Sequence, residues 1–441
     1  MGIPYYFASL IRQHKGITSR VNQITPDIFA IDFNCLIHTY MNDADPIGSV
    51  IAALRDILTN TCRATKFVYI AMDGLVPYAK IVQQRYRRFR ISEKGVFDRN
   101  QISPGTPYMR ELAKEVANAF PSAIVSSTDE PGEGEHKLLN WLKTLPATQR
   151  RSICVYGLDA DLILLCLSQK ELSRPHSFTL LRENSTFNKK DGGFTTLSIW
   201  KLAERLDIPI AQYIPLCVLC FGNDFMPSLG MFSLREGGHD RALALYKEAG
   251  NPDLTTPAGR MTFLRTSAAH EMKVFTEKVT NRDKPAEKVL FTLGGHYFQE
   301  RYNLHILDGV QNVKPVVDAF WKTYEWTIRY FLTNTAPDWS WVYPYADAPL
   351  VSQLIETKYA TPSFKKGIPF NVSAQLGFIL PKESLRKARR RVLFPDEFYE
   401  ETEVRMPWMK RYVWESKPRI SLPWHPTETE TTVEAWDPQI A

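Results

Sequence analysis

The chain has 441 residues, 44% of them hydrophobic, 12% aromatic and 23% charged. That composition excludes wholesale disorder, which needs low hydrophobicity and few aromatics, and no apolar run approaches the roughly 18–20 residues of a membrane span. The net charge of +6, from 54 Lys+Arg against 48 Asp+Glu, is too mild to define a partner, so the placement of the charges matters more than their sum.

The first 230 residues alternate strand-like and helix-like segments. Ile28–Ile31, Phe67–Met72, Ser122–Ser126, Ile153–Tyr156 and Ser177–Leu181 read as strands. Amphipathic patterns over roughly 48–60, 107–119, 134–144 and 161–169 read as helices between them. Continuous apolar runs separated by such helices predict an α/β fold, a mainly parallel sheet flanked by helices on both faces. Ligands in such folds bind beyond the carboxyl ends of the strands. Residues 1–230 therefore read as the N-terminal core, 231–315 as a helical connection, 316–420 as a second region rich in Trp, Tyr and Pro, and 421–441 as a flexible tail. The second region is expected to be mostly helical and to pack against the sheet.

Six cysteines, mostly inside apolar runs, suit reduced buried thiols and a reducing compartment. Cys217-Val-Leu-Cys220 has zinc-like spacing but no second pair, so structural zinc is not expected.

Carboxylates recur at the predicted strand ends: Asp32, Asp73, the turn Gly132-Glu133-Gly134-Glu135, the pair Asp159 and Asp161, and Asp224 after Phe221-Gly-Asn. Each alone is an ordinary turn or cap residue. Together they demand compensation, because every carboxylate raises the pKa of its neighbours and buried unpaired charge is costly. Divalent cations supply it, and an oxygen-only donor set favours Mg²⁺ or Mn²⁺. Two such ions, roughly 4 Å apart, suit phosphodiester cleavage.

A basic segment follows Asp73. Lys80, Gln84, Arg87 and Arg88 fall at i, i+4, i+7 and i+8 and make one cationic helix face, suited either to a terminal phosphate or to solvent. The run Arg386-Lys-Ala-Arg-Arg-Arg391 stays open between a nuclear signal, part of an RNA path and a solvated face.

These motifs, in order, resemble the Xrn family of 5′→3′ exoribonucleases. The resemblance runs through Met1-Gly-Ile-Pro4, Ile31-Asp-Phe-Asn-Cys-Leu-Ile-His38, Asp73-Gly with Ala79–Arg90, Ile102–Met109, Pro131-Gly-Glu-Gly-Glu-His-Lys137, Tyr156-Gly-Leu-Asp-Ala-Asp-Leu162, Leu180-Leu-Arg-Glu183 and Phe221-Gly-Asn-Asp-Phe-Met-Pro227. Tyr324–Tyr330, Trp339–Tyr345 and Gln375–Pro381 resemble the family's second shared region. Tyr78 departs from the basic residue common before Ala-Lys, and there is no room for the long C-terminal extensions of larger members.

The resemblance implies that Asp32, Asp73, Glu133, Glu135, Asp159, Asp161 and Asp224 line a site for two Mg²⁺ or Mn²⁺ ions. It implies that Lys80, Gln84, Arg87 and Arg88 hold a 5′-monophosphate, and that His38 stacks on the first bases opposite a Trp of the second region, Trp341 in preference to Trp339. The expected activity is 5′→3′ degradation of single-stranded, 5′-monophosphorylated RNA to nucleoside 5′-monophosphates. The expected protein is a monomer in the cytoplasm, or alternatively the nucleus, with no membrane partner. The competing readings are a structure-specific 5′ flap DNA nuclease and a non-catalytic RNA-binding scaffold on the same fold.

Overall fold

The computed structural model describes residues 2–3, 5–89, 98–186, 189–280, 298–307, 309–394 and 396–399. The expected tail over 421–441 and Arg90 of the basic run lie outside them. Seven strands, β1 (Thr18–Val21), β2 (Ile28–Asp32), β3 (Phe67–Ala71), β4 (Ile124–Ser126), β5 (Ile153–Tyr156), β6 (Phe178–Thr186) and β7 (Lys189–Ser198), form one sheet. Their order is β1-β7-β6-β5-β2-β3-β4. The five strands from β6 to β4 are mutually parallel, while β7 runs antiparallel to both β6 and β1.

The five expected strands are all present, and their apolar runs have a physical cause. β2 and β5 are buried at every residue, because helices cover both faces of the sheet. Ile28, Ala30, Tyr69, Ile153 and Val155 point into one core; Phe29, Ile31, Ile70, Cys154 and Tyr156 point into the other. This is the alternation a pleated strand imposes.

β1 and β7 lack such a signal. Thr18-Ser-Arg-Val21 is a half-exposed edge strand, and Lys189-Lys-Asp-Gly-Gly193 opens β7 with polar residues. An antiparallel edge faces water on one side and needs no continuous apolar run.

The helices of this part are α1 (Tyr6–Gln13), α2 (Asn34–Tyr40), α3 (Pro46–Asp56), α4 (Tyr78–Phe89), α5 (Pro107–Ala119), α6 (Gly134–Thr144), α7 (Asp161–Ser168), α8 (Ile199–Arg205) and α9 (Ile210–Phe221). Thr106 caps α5 through Met109 N, with Pro107 in the first turn, and this explains why that helix starts where its sequence pattern does.

The second region is mainly helical and packs on the sheet. The long helix Lys314–Thr333 buries Phe320, Trp326, Tyr330 and Phe331 in the same core as α7 and α9. Further along, Phe370, Leu376 and Phe378 pack on Val76, Ile81 and Val82 of α4 and its approach. Arg85 of the basic run is spent here. Its guanidinium lies between the rings of Phe89 and Phe398, at 4.1 and 4.0 Å, and donates to Phe378 O at 2.8 Å. Among the described residues no helix is long and apolar enough to cross a membrane.

Candidate active site

Parallel strands bring their carboxyl ends to one edge, and the acidic residues gather there. Asp32 ends β2, the middle one of the five parallel strands, beyond which the chain order reverses from β3 and β4 on one side to β5 and β6 on the other. A crevice at that position is where α/β sheets bind ligands. Asp73 follows β3, Glu133 and Glu135 start α6, Asp159 follows β5, Asp161 starts α7 and Asp224 follows α9.

Short contacts fix several of these carboxylates. Gly134 N donates to Asp73 Oδ1 at 2.8 Å, and Asn34 Oδ1 accepts from Asp73 N at 3.2 Å. The Cys35 thiol donates to Asp32 Oδ2 at 3.1 Å. Arg182 of β6 gives its guanidinium to Leu158 O and, at 3.4 and 3.3 Å, to Gly157 O and Asp159 O, which pins the loop that carries Asp159. Gly2, in the left-handed region at φ 50, lies so close to Asp161 that a Cβ there would clash with the Asp161 carboxylate.

The cluster is unbalanced by protein charge alone. Burial, then the charges of Asp73 and Asp159, push the Asp32 carboxyl up to about 8. Burial, then Asp224 and Asp159, push Asp161 up to about 7. Glu135 is driven well above the carboxylate range by burial and by Glu133 and Asp32. Lys80, only 5% exposed, is the internal counterion: its Nζ lies 2.5 Å from Glu133 Oε2 and 2.8 Å from Asp224 Oδ2. Burial opposes ionisation of Asp224, yet Lys80 holds its carboxyl below the usual range.

The donor set fits a hard divalent cation. Asp32, Asp73 and Glu135 each offer an oxygen, and these oxygens lie within 4.8 Å of one another. The raised pKa values of Asp32 and Glu135 mark repulsion that a cation would remove.

The basic face divides into parts. Lys80 is committed to Glu133 and Asp224. Arg88 is buried and donates from Nε to Ser103 Oγ at 3.1 Å and from Nη2 to Ile102 O at 2.5 Å. Gln84 is buried with its Oε1 unpartnered, and Arg87 is half-buried. His38 lies on α2 within the field of Arg88, Arg87, Asp159 and Arg99; burial first, then those arginines, lower its pKa to about 3, so it is neutral.

The two tryptophans diverge. The Trp341 ring lies against the second region's own helix: its Nε1 donates to Thr323 Oγ1 at 3.1 Å and Lys322 Nζ stands 4.2 Å from its centroid. Trp339 O accepts from Tyr78 N at 2.9 Å, at the start of α4.

Two comparisons decide the family. The profile of the XRN 5′-3′ exonuclease N-terminus matches residues 1–96 and 90–184, and that of the Xrn1 helical domain matches residues 261–390. The chain belongs to the Xrn family. It is 31% identical over 320 residues to 5′-3′ exoribonuclease 1 of Saccharomyces cerevisiae, with 56% of this chain and 21% of that protein covered. It is 28% identical over 372 residues to 5′-3′ exoribonuclease 2 of Gallus gallus, with 56% of this chain and 39% of that protein covered. The chain thus spans well under half the length of these Xrn relatives. A solved structure of the catalytic core of Rad2 in complex with DNA substrate aligns at 15% identity and a TM-score of 0.38, covering 74% of this chain and 85% of that one; so loose a likeness carries no argument about chemistry.

Several residues at the Xrn site have no signal of their own in the sequence. Tyr330 OH donates to Glu133 Oε1 at 2.8 Å, across 197 positions. Gln375 Oε1 accepts from Val76 N at 2.9 Å and steadies the turn after Asp73. Cys35 and Asn34 stand beside Asp32 in sequence, but only the geometry gives them a carboxylate and an amide to hold. Tyr330 and Gln375 lie within motifs shared with the family, and those motifs are the only sequence clue to them.

Proposed function

We propose that this chain is a 5′→3′ exoribonuclease that takes single-stranded RNA with a 5′-monophosphate and releases nucleoside 5′-monophosphates. The observation that carries the reading is the convergence of seven carboxylates at one sheet edge, next to a helix that presents Gln84 and Arg87. Binding RNA alone does not require acids that repel phosphate, which weighs against a scaffold.

Asp32, Asp73, Glu133 and Glu135 would hold one Mg²⁺ or Mn²⁺ ion, and Asp159, Asp161 and Asp224 a second. Such ions activate water and stabilise the leaving oxygen of a phosphodiester. The chain's own residues do the rest. Lys80 favours the ionised forms of Glu133 and Asp224 against the burial that opposes them, and holds both in place. Arg87, with Gln84, receives the 5′-phosphate, while Arg88 holds the 102–103 turn that borders it and adds positive charge. On this reading the phosphate site should favour a monophosphate over a cap or triphosphate. Neutral His38 offers a flat face for a base without desolvating a charge, and a Trp of the second region, Trp341 or Trp339, completes the stack.

The test compares RNAs differing only at the 5′ end, as monophosphate, triphosphate, hydroxyl and cap, with a flapped DNA duplex alongside, all with Mg²⁺. Stepwise loss of nucleotides from the monophosphate RNA is expected. Intact monophosphate RNA, or cleavage of the flap alone, overturns the proposal. An Asp159→Ala, Asp161→Ala protein should bind RNA as wild type does and degrade none.

A further inference from the structure

We infer that Tyr330 is a positioning residue for Glu133, through which the second region completes the acidic site. The inference rests on the nuclease reading above. Glu133 has two oxygens and two fixed partners: Lys80 Nζ at 2.5 Å on Oε2 and the Tyr330 hydroxyl at 2.8 Å on Oε1. Lys80 favours the charged carboxylate, but one contact leaves it free to swing about that contact. The phenol closes the second point and sets the plane of the carboxylate.

Tyr330 is itself held on several sides. Its ring stacks on His136 with centroids 3.9 Å apart and planes at 23°. Its edges pack against Phe225 at 5.6 Å and Trp326 at 5.0 Å. His136 shares a 3.1 Å hydrogen bond, at Nδ1, with Asn334 Oδ1, and Asn334 O accepts from Asn140 Nδ2 at 3.1 Å. Asn334 ends the helix that carries Tyr330, in the left-handed conformation at φ 57. The helix end is therefore tied to α6 on one side of the ring and stacked on it on the other. Through this one side chain the second region touches Glu133 directly, the neighbour of Glu135 through His136, and the neighbour of Asp224 through Phe225.

A packing role alone would be met by phenylalanine, because the His136, Phe225 and Trp326 contacts use the ring. The hydroxyl is needed only for Glu133. Groups that orient metal-ligating carboxylates typically change metal affinity or activity by about 10–100-fold when removed.

The decisive variant is Tyr330→Phe in the full chain, compared with wild type in two measurements. Mn²⁺ binding is followed by electron paramagnetic resonance without RNA, and steady-state degradation of 5′-monophosphate RNA gives kcat and KM separately. The expected result is about 10-fold weaker Mn²⁺ binding and a kcat lowered about 10–100-fold at nearly unchanged KM, with circular dichroism and melting close to wild type. A second variant, Asn334→Gly, keeps the left-handed backbone and the Asn140 bond but releases His136. It should shift the same two quantities in the same direction, by less, and it carries the test should the phenylalanine variant fold poorly. Unchanged Mn²⁺ affinity and kcat in folded variants overturn the positioning role while the nuclease reading stands. A wild-type protein that neither binds Mn²⁺ nor degrades RNA overturns both.

Discussion

Replacing Lys80 by methionine exposes what balances the acidic site. Methionine keeps most of the aliphatic stem and removes the ammonium that lies 2.5 Å from Glu133 and 2.8 Å from Asp224. Both carboxylates are then buried without a counterion. Removing one partner of a buried pair costs about 3–5 kcal/mol. Unfolding entropy of about 2.1 cal/mol/K per residue gives about 0.9 kcal/mol/K for a chain of this length, so the Tm should fall by about 3–5 °C. A divalent cation restores positive charge to the same cluster. Losing the ammonium also removes its repulsion of the cation, so the variant should bind Mn²⁺ more tightly than wild type, and each tenfold in Kd returns about 1.4 kcal/mol of the gap at saturating Mn²⁺. The assay is thermal melting of wild type and Lys80→Met at pH 8, in EDTA and in Mn²⁺. A variant as stable as wild type in EDTA, or a deficit that Mn²⁺ leaves untouched, would refute the reasoning.

Three further outcomes follow from the geometry. In EDTA, stability should fall as the pH rises from 6.5 to 8, because folded Asp32 and Asp161, with pKa values of about 8 and about 7, still hold protons that the unfolded carboxyls have released. The buried His38 and His136 act oppositely, but only below about pH 6.5, where unfolded histidine is protonated; with Mg²⁺ bound the decline should vanish, and melting curves across this range check both arms. Gly74→Ala should destabilise the fold by about 1–3 kcal/mol and lower activity, since its Cβ would lie 1.8 Å from Glu130 O, on the backbone approaching Glu133; denaturant unfolding and the exonuclease assay read the two effects. Arg87→Ala should raise KM for 5′-monophosphate RNA by about 10-fold or more, the loss of about 1.5–3 kcal/mol from one charge-assisted contact, and shrink the preference over a 5′-hydroxyl end, measured on paired substrates.

Much of this protein is legible in its sequence. Strands buried on both faces must be apolar at every position, so β2 and β5 announce themselves, and a parallel sheet then sends Asp32, Asp73 and Asp159 to one edge. The i, i+4, i+7, i+8 spacing of Lys80, Gln84, Arg87 and Arg88 places them on one helical face whatever surrounds it. These are local rules, and they hold before the chain folds. The antiparallel strands β1 and β7, at one end of the sheet, escape them, because their residues answer to water on one side.

Tertiary structure alone decides how the charges are shared. Helical spacing cannot show that Lys80 turns to Glu133 and Asp224, that Arg85 is enclosed by Phe89 and Phe398, or that Arg88 holds the 102–103 turn. It cannot show that Trp341 rests on Thr323, or that Tyr330 reaches Glu133 across 197 positions. Each depends on which segments meet across the sheet and its second region. The sequence determines that acids and bases converge; packing determines which of them remain available to a phosphate and which hold the site together.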